Sequence, residues 1–459
     1  MVAELAIYTV VHQPRRLKLP AQPIPRGASA EDIARCLFDE RMNEHYFHKV
    51  AQYSYYPAAR LFLELARQGM KLAIGFSLSF VRQASAWDQQ LLDLFRELVA
   101  EQNVELIGVE PYHSFLFLLD LPAFVQRMRW MADELEGIFG KRPVVTDTTE
   151  MCMSATIYGA LDTAGFRGAV MDGRPWVMDW RESTHLYRAN ENLPLPLPPD
   201  GKKRTRRPAR ETPAPAEREG GPYLLTRHVA LSDDVGYRFS NSGWFGYPLY
   251  ADTYAGWIAR TRGELLLIGW DFETFGEHHR ENSGIFEFIR ALPHELAARS
   301  VKTSTPSELI ARHGPSASHL PLPVYPTTWA GTGGLEFFLG NQAQETLFQL
   351  MGYVYGLAKL TDNPDLIDLA LWLTQSDNLH LIQWFGRTGP EAEVSAYFTP
   401  SEWWALGPNR IIAEQQQVYM NALRAIEPYL PPNLKRPRAR KQASKTEPRI
   451  RELDIARRP

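Results

Sequence analysis

The stretch Leu265–His279, LLLIGWDFETFGEHH, begins as a buried apolar strand and ends abruptly in carboxylates, histidines and a glycine. Hydrophobic burial accounts for Leu265–Ile268 but not for this ending. In α/β folds, catalytic and binding residues lie at the carboxyl ends of the strands. The stretch therefore predicts one wall of an active site, with the titratable residues Asp271, Glu273, Glu277, His278 and His279.

Earlier in the chain, short apolar runs of strand length alternate with helical patterns. The runs are Leu5–Val11, Leu72–Phe76, Val104–Val109, Pro143–Thr146 and Ala169–Met171. Strands that alternate with helices predict a parallel sheet or barrel. Leu265–Trp270 adds one strand, and Val301–Thr305 is a candidate for another. We therefore expect an α/β barrel related to the TIM architecture, and a doubly wound open sheet is the alternative.

Polar residues follow four of these strands. His12 comes directly after the first run, and His113 follows the third. Asp147 and Glu150 follow the fourth run, and Asp271 follows Leu265–Trp270. A single histidine in such a place is more often structural, but polar groups at the same end of successive strands are typical of an active-site rim.

The pattern changes from about Leu335 onward, where helical segments follow one another with no strand between them. These segments are Gln342–Leu360, Asp365–Thr374 and Glu414–Ile426. We expect residues 1–310 to form the barrel and residues 311–430 to form a C-terminal helical domain that completes the cleft.

Two basic segments belong to neither unit. Residues 194–221 contain KKRTRRPAR, and residues 431–459 contain RPRARK. Both have too few large apolar residues to offset the entropy of ordering, so we interpret them as a mobile insertion and a disordered tail. The alternative is an electrostatic tether to nucleic acid, an acidic protein or a charged polymer.

Composition narrows the class of protein. A chain of 459 residues with a net charge of −3 favours an ordinary globular protein and gives no reason to expect a nucleic-acid partner. Cys36 and Cys152 are far apart, so disulfides and zinc–thiolate sites are not expected. The sequence shows neither a signal peptide nor an apolar run of about 18 residues, so we expect a cytoplasmic protein with no membrane contact.

Glu150 and Asp271 follow different strands and could face each other across a cleft. Glycoside hydrolysis needs such a pair, because one carboxyl group attacks or steadies the anomeric carbon while the other protonates the leaving oxygen. A salt bridge or a helix cap is the simpler alternative for each residue. Spacing also leaves open whether Asp271 or Glu273 is the second group, since residues two apart on a strand point to the same side.

Five motif regions in order, together with two longer segments, resemble glycoside hydrolase family 57, particularly its α-amylase-like members. The longer segments are YYPAARLFLELARQGMKLAIGFSLSF and LSDDVGYRFSNSGWFGYPL. The resemblance covers Ile7 to about Trp404. The motif regions are His12-Gln13-Pro14, Tyr112-His113-Ser114, Thr149-Glu150-Met151, Trp270–His278 and Gln375-Ser376-Asp377.

The resemblance implies a seven-stranded incomplete TIM-like (β/α)7 barrel, a C-terminal helical domain and a retaining mechanism on α-glucans or maltooligosaccharides. Glu150 matches the family's nucleophile, and Asp271 matches its general acid/base. Three further residues match positions that line the sugar-binding cleft, and Trp270 is an additional expected contact. The three are His12, His113 and Asp377. No cofactor is implied.

Two departures from the family pattern leave the exact reaction open. Asn378 stands where many relatives have His, and His279 replaces the more usual Gln. Both catalytic positions are retained, so the leading hypothesis is an α-amylase-type hydrolase or a 4-α-glucanotransferase. A noncatalytic α-glucan-binding protein is the third possibility, and the oligomeric state is open.

A metal-dependent deacetylase or mannosidase on a related barrel is a different class of enzyme. It would need histidine and aspartate ligands at compact spacing. His12 is followed by Gln-Pro, and the adjacent His278 and His279 cannot both face one metal from a regular strand. We therefore expect no metal site.

Overall fold

The computed structural model describes residues 1–189, 221–384 and 399–434. The predicted tail beyond Leu434, and all of the predicted insertion except Gly221, lie outside these residues. The strands are β1 Glu4–Val11, β2 Leu72–Phe76, β3 Val104–Ile107, β4 Val145–Thr146, β5 Gly168–Asp172, β6 Tyr187–Arg188, β7 Tyr223–Arg227, β8 Leu265–Asp271, β9 Lys302–Thr303 and β10 Ser318–His319.

Seven of these strands form a nearly closed parallel barrel, which confirms the predicted α/β fold over the open-sheet alternative. β1 pairs in parallel with both β2 and β8, and β5 pairs in parallel with both β4 and β7. β2 pairs with β3. Two links are short: a single bridge, Gly108–Thr146, joins the end of β3 to β4, and one residue pair, Arg227–Leu267, joins β7 to β8.

The seventh barrel strand is β7, which the sequence analysis did not predict. Its sequence, YLLTR, has only two large aliphatic residues and directly follows the basic segment. The candidate strand Val301–Thr305 is instead the short strand β9, which pairs only with the start of β1 among the described residues. β6 pairs antiparallel to β7, and β10 pairs with β6.

Alternation along the strands divides the core in two. Leu265 and Leu267 belong to the apolar cluster inside the barrel, whereas Leu266, Ile268 and Trp270 belong to the cluster between the strands and the surrounding helices. Side chains on a strand point alternately to opposite faces. On β8, Asp271 therefore shares the inward face of Leu265 and Leu267.

The helices surround the barrel and continue beyond it. Their bounds are α1 Ala30–Leu37, α2 Glu40–Val50, α3 Tyr56–Arg67, α4 Leu78–Trp87, α5 Gln89–Ala100, α6 Leu116–Leu119, α7 Leu121–Phe139, α8 Ala155–Ala164, α9 Val229–Gly236, α10 Ala251–Arg260, α11 Ile285–Ala297, α12 Pro306–His313, α13 Glu336–Leu339, α14 Gln342–Lys359, α15 Pro364–Trp372, α16 Asp377–His380, α17 Ser401–Trp404 and α18 Pro408–Ile426. No helix in the described ranges is both long and apolar enough to span a membrane.

The C-terminal helices form the predicted helical region. α14 packs against both α15 and α18. The predicted boundary at residues 310 and 311 falls inside α12, whose Leu309 and Ile310 belong to the apolar cluster of the barrel interior. α15 leads directly to Gln375–Asp377, and Ser376 donates its backbone N–H to the carbonyl of His113. The helical region thereby contributes to the carboxyl rim of the barrel.

Candidate active site

Two stacked histidines form one wall of the rim. The rings of His12 and His113 lie 3.9 Å apart between centroids, at an angle of 18°. His12 contacts Ser77 Oγ through Nδ1 at 2.8 Å and Asp377 Oδ2 through Nε2 at 3.0 Å. His113 Nδ1 contacts Ser376 Oγ at 3.0 Å. The three predicted sugar-contacting residues His12, His113 and Asp377 are therefore adjacent.

We call His12, His113 and Asp377 together the histidine–aspartate wall. Two of its members, Asp377 and His113, have strongly lowered pKa values. Burial raises the pKa of Asp377, but the neighbouring histidines, His12 above all, together outweigh burial and hold that pKa well below the usual range. Burial, together with His12, lowers the pKa of His113 to about 3. At neutral pH the wall therefore presents an ionised carboxylate beside a neutral imidazole, which is a set of donors and acceptors suited to sugar hydroxyl groups.

Glu150 lies in a tight turn just after β4, with its backbone in the left-handed region at φ 57°. Met151 and His113 also have positive φ, 51° and 53°. Such conformations cost about 1–3 kcal/mol each in non-glycine residues and cluster at functional sites. The Thr149 hydroxyl donates to the carbonyl of Ser114 at 2.6 Å, which ties the turn of Glu150 to the turn of His113.

The two oxygens of Glu150 have different surroundings. The indole N–H of Trp329 donates to Oε2 at 2.6 Å. Oε1 lies 3.9 Å from Nε2 of His113, on the side of the histidine wall. Oε2 is therefore held by a protein donor, while Oε1 faces His113, one of the residues expected to contact the sugar.

Asp271 ends β8 and stands close enough to Glu150 for their charges to interact. Burial raises the pKa of Glu150, and the negative charge of Asp271 raises it further, against the effect of the Trp329 hydrogen bond. Burial also raises the pKa of Asp271, whereas Arg227 and His12 act in the opposite direction. The pKa of Glu150 is raised to about 8 and that of Asp271 to about 6, so near pH 7 the pair holds one proton, which lies mainly on Glu150.

Asp147 is a third carboxyl group at this rim. It accepts a hydrogen bond from the hydroxyl of Tyr8 at 2.8 Å, and its Oδ1 accepts from the backbone N–H of Thr148 at 2.8 Å. Burial raises the pKa of Asp147 to about 7. Tyr8 and Thr148 occupy its oxygens, so Asp147 is held in place near Glu150 and Asp271, whose charges interact with its own.

The other polar residues of the opening stretch have structural contacts. Strand β8 ends at Asp271 and a 3₁₀ turn follows, so the two-residue alternation does not carry on to Glu273. Glu273 Oε1 accepts from the Tyr55 hydroxyl at 2.5 Å. Glu277 pairs with Lys49 at 2.9 Å, and His279 contacts Ser240 Oγ at 2.8 Å. Of the two carboxyl groups that spacing left open, Asp271 is the one that shares the inward face of β8.

The structure does not bring Trp270 to the cleft. Its side chain is only 1% exposed, and its indole N–H donates to the carbonyl of Ser232 at 2.9 Å. Asp271 points into the barrel, so its neighbour Trp270 must point outward, toward the helices. The family resemblance implies a sugar contact here, but the alternation along the strand places Trp270 on the opposite face, so this expectation is wrong.

The cluster of His12, His113 and Asp377 has three possible metal-ligand atoms within 4.8 Å of one another. A metal ion must lie in the plane of each imidazole that binds it, along the nitrogen lone pair. The nearly parallel, stacked rings have planes that do not meet at a common point nearby. His12 Nε2 is moreover already in contact with Asp377. The geometry therefore fits a polar sugar-binding surface better than a metal centre.

Two residues of the site were not identified from the sequence. Ser77 directly follows β2, so the rule that found His12 and Glu150 would also have found it. Trp329 lies in a loop with no periodic pattern, and only its long-range contact with Glu150 reveals it.

Two partly exposed carboxyl groups at the carboxyl rim of a barrel, beside a wall of polar side chains, are the arrangement of a barrel glycosidase. Comparison with known families agrees: the model of glycosyl hydrolase family 57 matches residues 6–323. The chain belongs to this family.

Individual relatives are consistent with this assignment. The protein named "Putative alpha-amylase" of Methanocaldococcus jannaschii is 31% identical over 383 residues, which cover 81% of this chain and 74% of that protein. The branching enzyme of Pyrococcus horikoshii has a similar structure, with a TM-score of 0.57, 15% identity and coverage of 94% and 97% of the two chains.

The 4-alpha-glucanotransferase of Thermococcus litoralis is also similar in structure, with a TM-score of 0.58 and 14% identity. The match covers 83% of this chain but only 56% of that enzyme. At these identities the structural likeness shows a shared fold alone.

Proposed function

We propose that this chain cleaves α-1,4-glucans as a retaining glycoside hydrolase of the α-amylase type, with Glu150 as the nucleophile and Asp271 as the general acid/base. The observation that carries the proposal is the position of the two carboxyl groups: Glu150 follows β4 and Asp271 ends β8 at the same rim, and Oε1 of Glu150 lies 3.9 Å from Nε2 of His113 in the histidine–aspartate wall. The choice of an α-glucan as substrate is supported by the family and by the amylase-named relative.

The first step starts from the form of the pair in which its one proton lies on Asp271 and Glu150 is ionised. Oε1 of Glu150 then attacks the anomeric carbon while Asp271 donates that proton to the leaving oxygen. The glycosidic bond breaks, and a glycosyl ester forms on Glu150. In the second step, Asp271 takes a proton from water, the oxygen of that water bonds to the anomeric carbon, and the Glu150 carboxylate leaves.

The histidine–aspartate wall would bind the sugar during both steps. The ionised Asp377 can accept hydrogen bonds from sugar hydroxyl groups, and the neutral His113 adds a neighbouring ring nitrogen. The negative charge of Asp377 also favours the positive charge that develops on the sugar ring in the transition state. This wall is therefore suited to hold the sugar that Glu150 attacks.

Product analysis after incubation with amylose and with maltooligosaccharides tests the proposal. Shorter maltooligosaccharides with new reducing ends indicate hydrolysis. Longer products, with no net gain in reducing ends, would identify a 4-α-glucanotransferase that uses the same carboxyl pair. Binding without any product would contradict the proposal and favour a noncatalytic α-glucan-binding protein.

The stereochemistry of the first product should be retained. A retaining mechanism makes two displacements at the anomeric carbon, so an α-glucan should release the α-anomer first. Proton NMR of early products, recorded before mutarotation, distinguishes the anomers. Initial release of the β-anomer would show an inverting mechanism and remove Glu150 from the role of nucleophile.

The pH optimum should lie closer to neutrality than the ordinary pKa values of carboxyl groups would place it. Activity needs one proton on the pair, so the rate falls at low pH when both groups are protonated and at high pH when both are ionised. Burial raises both pKa values, which moves both limits upward. A profile of kcat/KM against pH, which reports on the free enzyme, checks this expectation. An optimum near pH 4 would contradict it.

A further inference from the structure

A loop that follows the barrel strands holds Trp329 in register with Glu150. Thr327 and Met153 exchange backbone hydrogen bonds of 2.9 and 3.1 Å, so the loop runs antiparallel to the turn of Glu150. Trp329 then donates twice to Glu150: its backbone N–H to the carbonyl at 3.1 Å, and its indole N–H to Oε2 at 2.6 Å. Both the backbone and the side chain of Glu150 are thus fixed by one residue.

Arg227 supports the ring of Trp329 from within the barrel. Its guanidinium is only 3% exposed and lies 5.3 Å from the centre of the Trp329 ring. The same guanidinium donates to the carbonyl of Gly269 at 3.0 Å and pairs with Asp233 at 2.6 Å. Gly269 belongs to β8, the strand that ends in Asp271. Arg227 therefore lies between Trp329, which donates to Glu150, and β8, the strand that ends in Asp271.

A second arginine fixes the loop itself. Arg174 donates to the carbonyls of Trp329 and Gly331. It pairs with the buried carboxylate of Asp172 at 2.9 Å, and Asp172 also faces Arg227 at 3.5 Å. A buried arginine–aspartate–arginine group therefore anchors Trp329 through both its carbonyl and its ring, so its indole N–H has little freedom to turn away from Glu150.

From this geometry we propose that Trp329 is a positioning residue that keeps its indole N–H on Oε2 of Glu150 throughout the reaction, so that Oε1 alone bonds to the sugar. The inference rests on the proposed role of Glu150. When the glycosyl ester forms, Oε1 bonds to the anomeric carbon and Oε2 becomes the ester carbonyl. When the ester breaks, negative charge returns to both oxygens, and the indole hydrogen bond strengthens again. The N–H group therefore stabilises the leaving carboxylate as well as orienting it.

The test replaces Trp329 by Phe, which keeps a ring beside Arg227 but removes the N–H donor. The matched control is Trp176→Phe, because the indole N–H of Trp176 donates to Thr332 in the same loop, at 3.2 Å, and not to a carboxyl group. Trp329→Phe should lower kcat on a maltooligosaccharide about 10- to 100-fold, the value of one hydrogen bond to a charged group, with little change in KM. The control should keep the wild-type kcat.

A second readout separates positioning from simple packing. Loss of the donor removes a contact that stabilises the ionised form of Glu150, so its pKa should rise. The kcat/KM profile should therefore shift to higher pH in Trp329→Phe and stay in place in Trp176→Phe. Equal losses in both variants, with unchanged profiles, would overturn the inference in favour of a general role of the loop.

Failure of this inference can be told apart from failure of the proposed function by including Glu150→Gln. An inactive Glu150→Gln beside a fully active Trp329→Phe would overturn the inference alone, whereas an active Glu150→Gln would overturn the proposed function.

If Trp329→Phe does not fold, the inference can be tested by NMR of ¹⁵N-labelled tryptophan. The indole N–H resonances of wild type and Glu150→Gln are then compared. One indole resonance should move when the carboxylate acceptor becomes an amide. Spectra without such a change would overturn the inference.

Discussion

Glu150→Gln is expected to abolish turnover of maltooligosaccharides, with a loss of about four to six orders of magnitude, while glucan binding is nearly unchanged. An amide has the shape of the carboxylate and its oxygen can still accept from Trp329, but it does not form the covalent glycosyl intermediate. Initial rates measure the first effect, and calorimetric titration with a maltooligosaccharide measures the second.

Glu105→Gln is the matched control for this variant. Glu105 is also largely buried, accepts hydrogen bonds from Ser307 at 2.8 and 2.6 Å, and has a raised pKa because of burial. It lies on β3, in the body of the barrel and before the residues that reach the rim. Glu105→Gln should keep its activity. Equal rates in wild type and Glu150→Gln would remove Glu150 from the mechanism.

Asp271→Asn should produce a loss that depends on the leaving group. Substrates with poor leaving groups need protonation and should slow about 100- to 10,000-fold, the usual contribution of general acid catalysis. Activated aryl α-glucosides need no proton in the first step and should be partly spared. Rates over a series of aryl leaving groups check this prediction. A uniform loss across the series would indicate a structural role of Asp271.

The rule that polar residues after strands form a rim predicted correctly which side chains come together. His12, His113, Glu150 and Asp271 lie at or just after the ends of four different strands and are brought to one rim in the structure. The rule works because the carboxyl ends of parallel strands meet at one rim.

The same rule failed where regular strand geometry ended. Glu273 and Glu277 follow Asp271 in a 3₁₀ turn and beyond, where their side chains turn toward Tyr55 and Lys49. Trp270 lies within the regular strand but on its outer face. Predicting which side chains reach the rim therefore requires both the alternation of side chains and the residue at which the strand ends. The sequence pattern did not show where β8 ends.

Long-range contacts were beyond the reach of the sequence. Trp329 is brought to Glu150 by the pairing of Thr327 with Met153, and no local pattern encodes that pairing. Arg227 ends a strand that was itself not predicted, because YLLTR is short and ends in a charge. The carboxylates of Asp172 and Asp233 balance the positive charge of the buried Arg227. Asp172 lies far from Arg227 in the sequence, and only the folded chain brings the three residues together.

The contact between His12 and Asp377 joins residues that lie 365 positions apart in the chain. During synthesis, the barrel strands with Glu150 and Asp271 leave the ribosome well before Asp377 does. Domains generally fold as units in the order in which they are made. We therefore expect the carboxyl pair to be in place before the contact between His12 and Asp377 forms, so that the proposed activity should begin only when the C-terminal helices have been made.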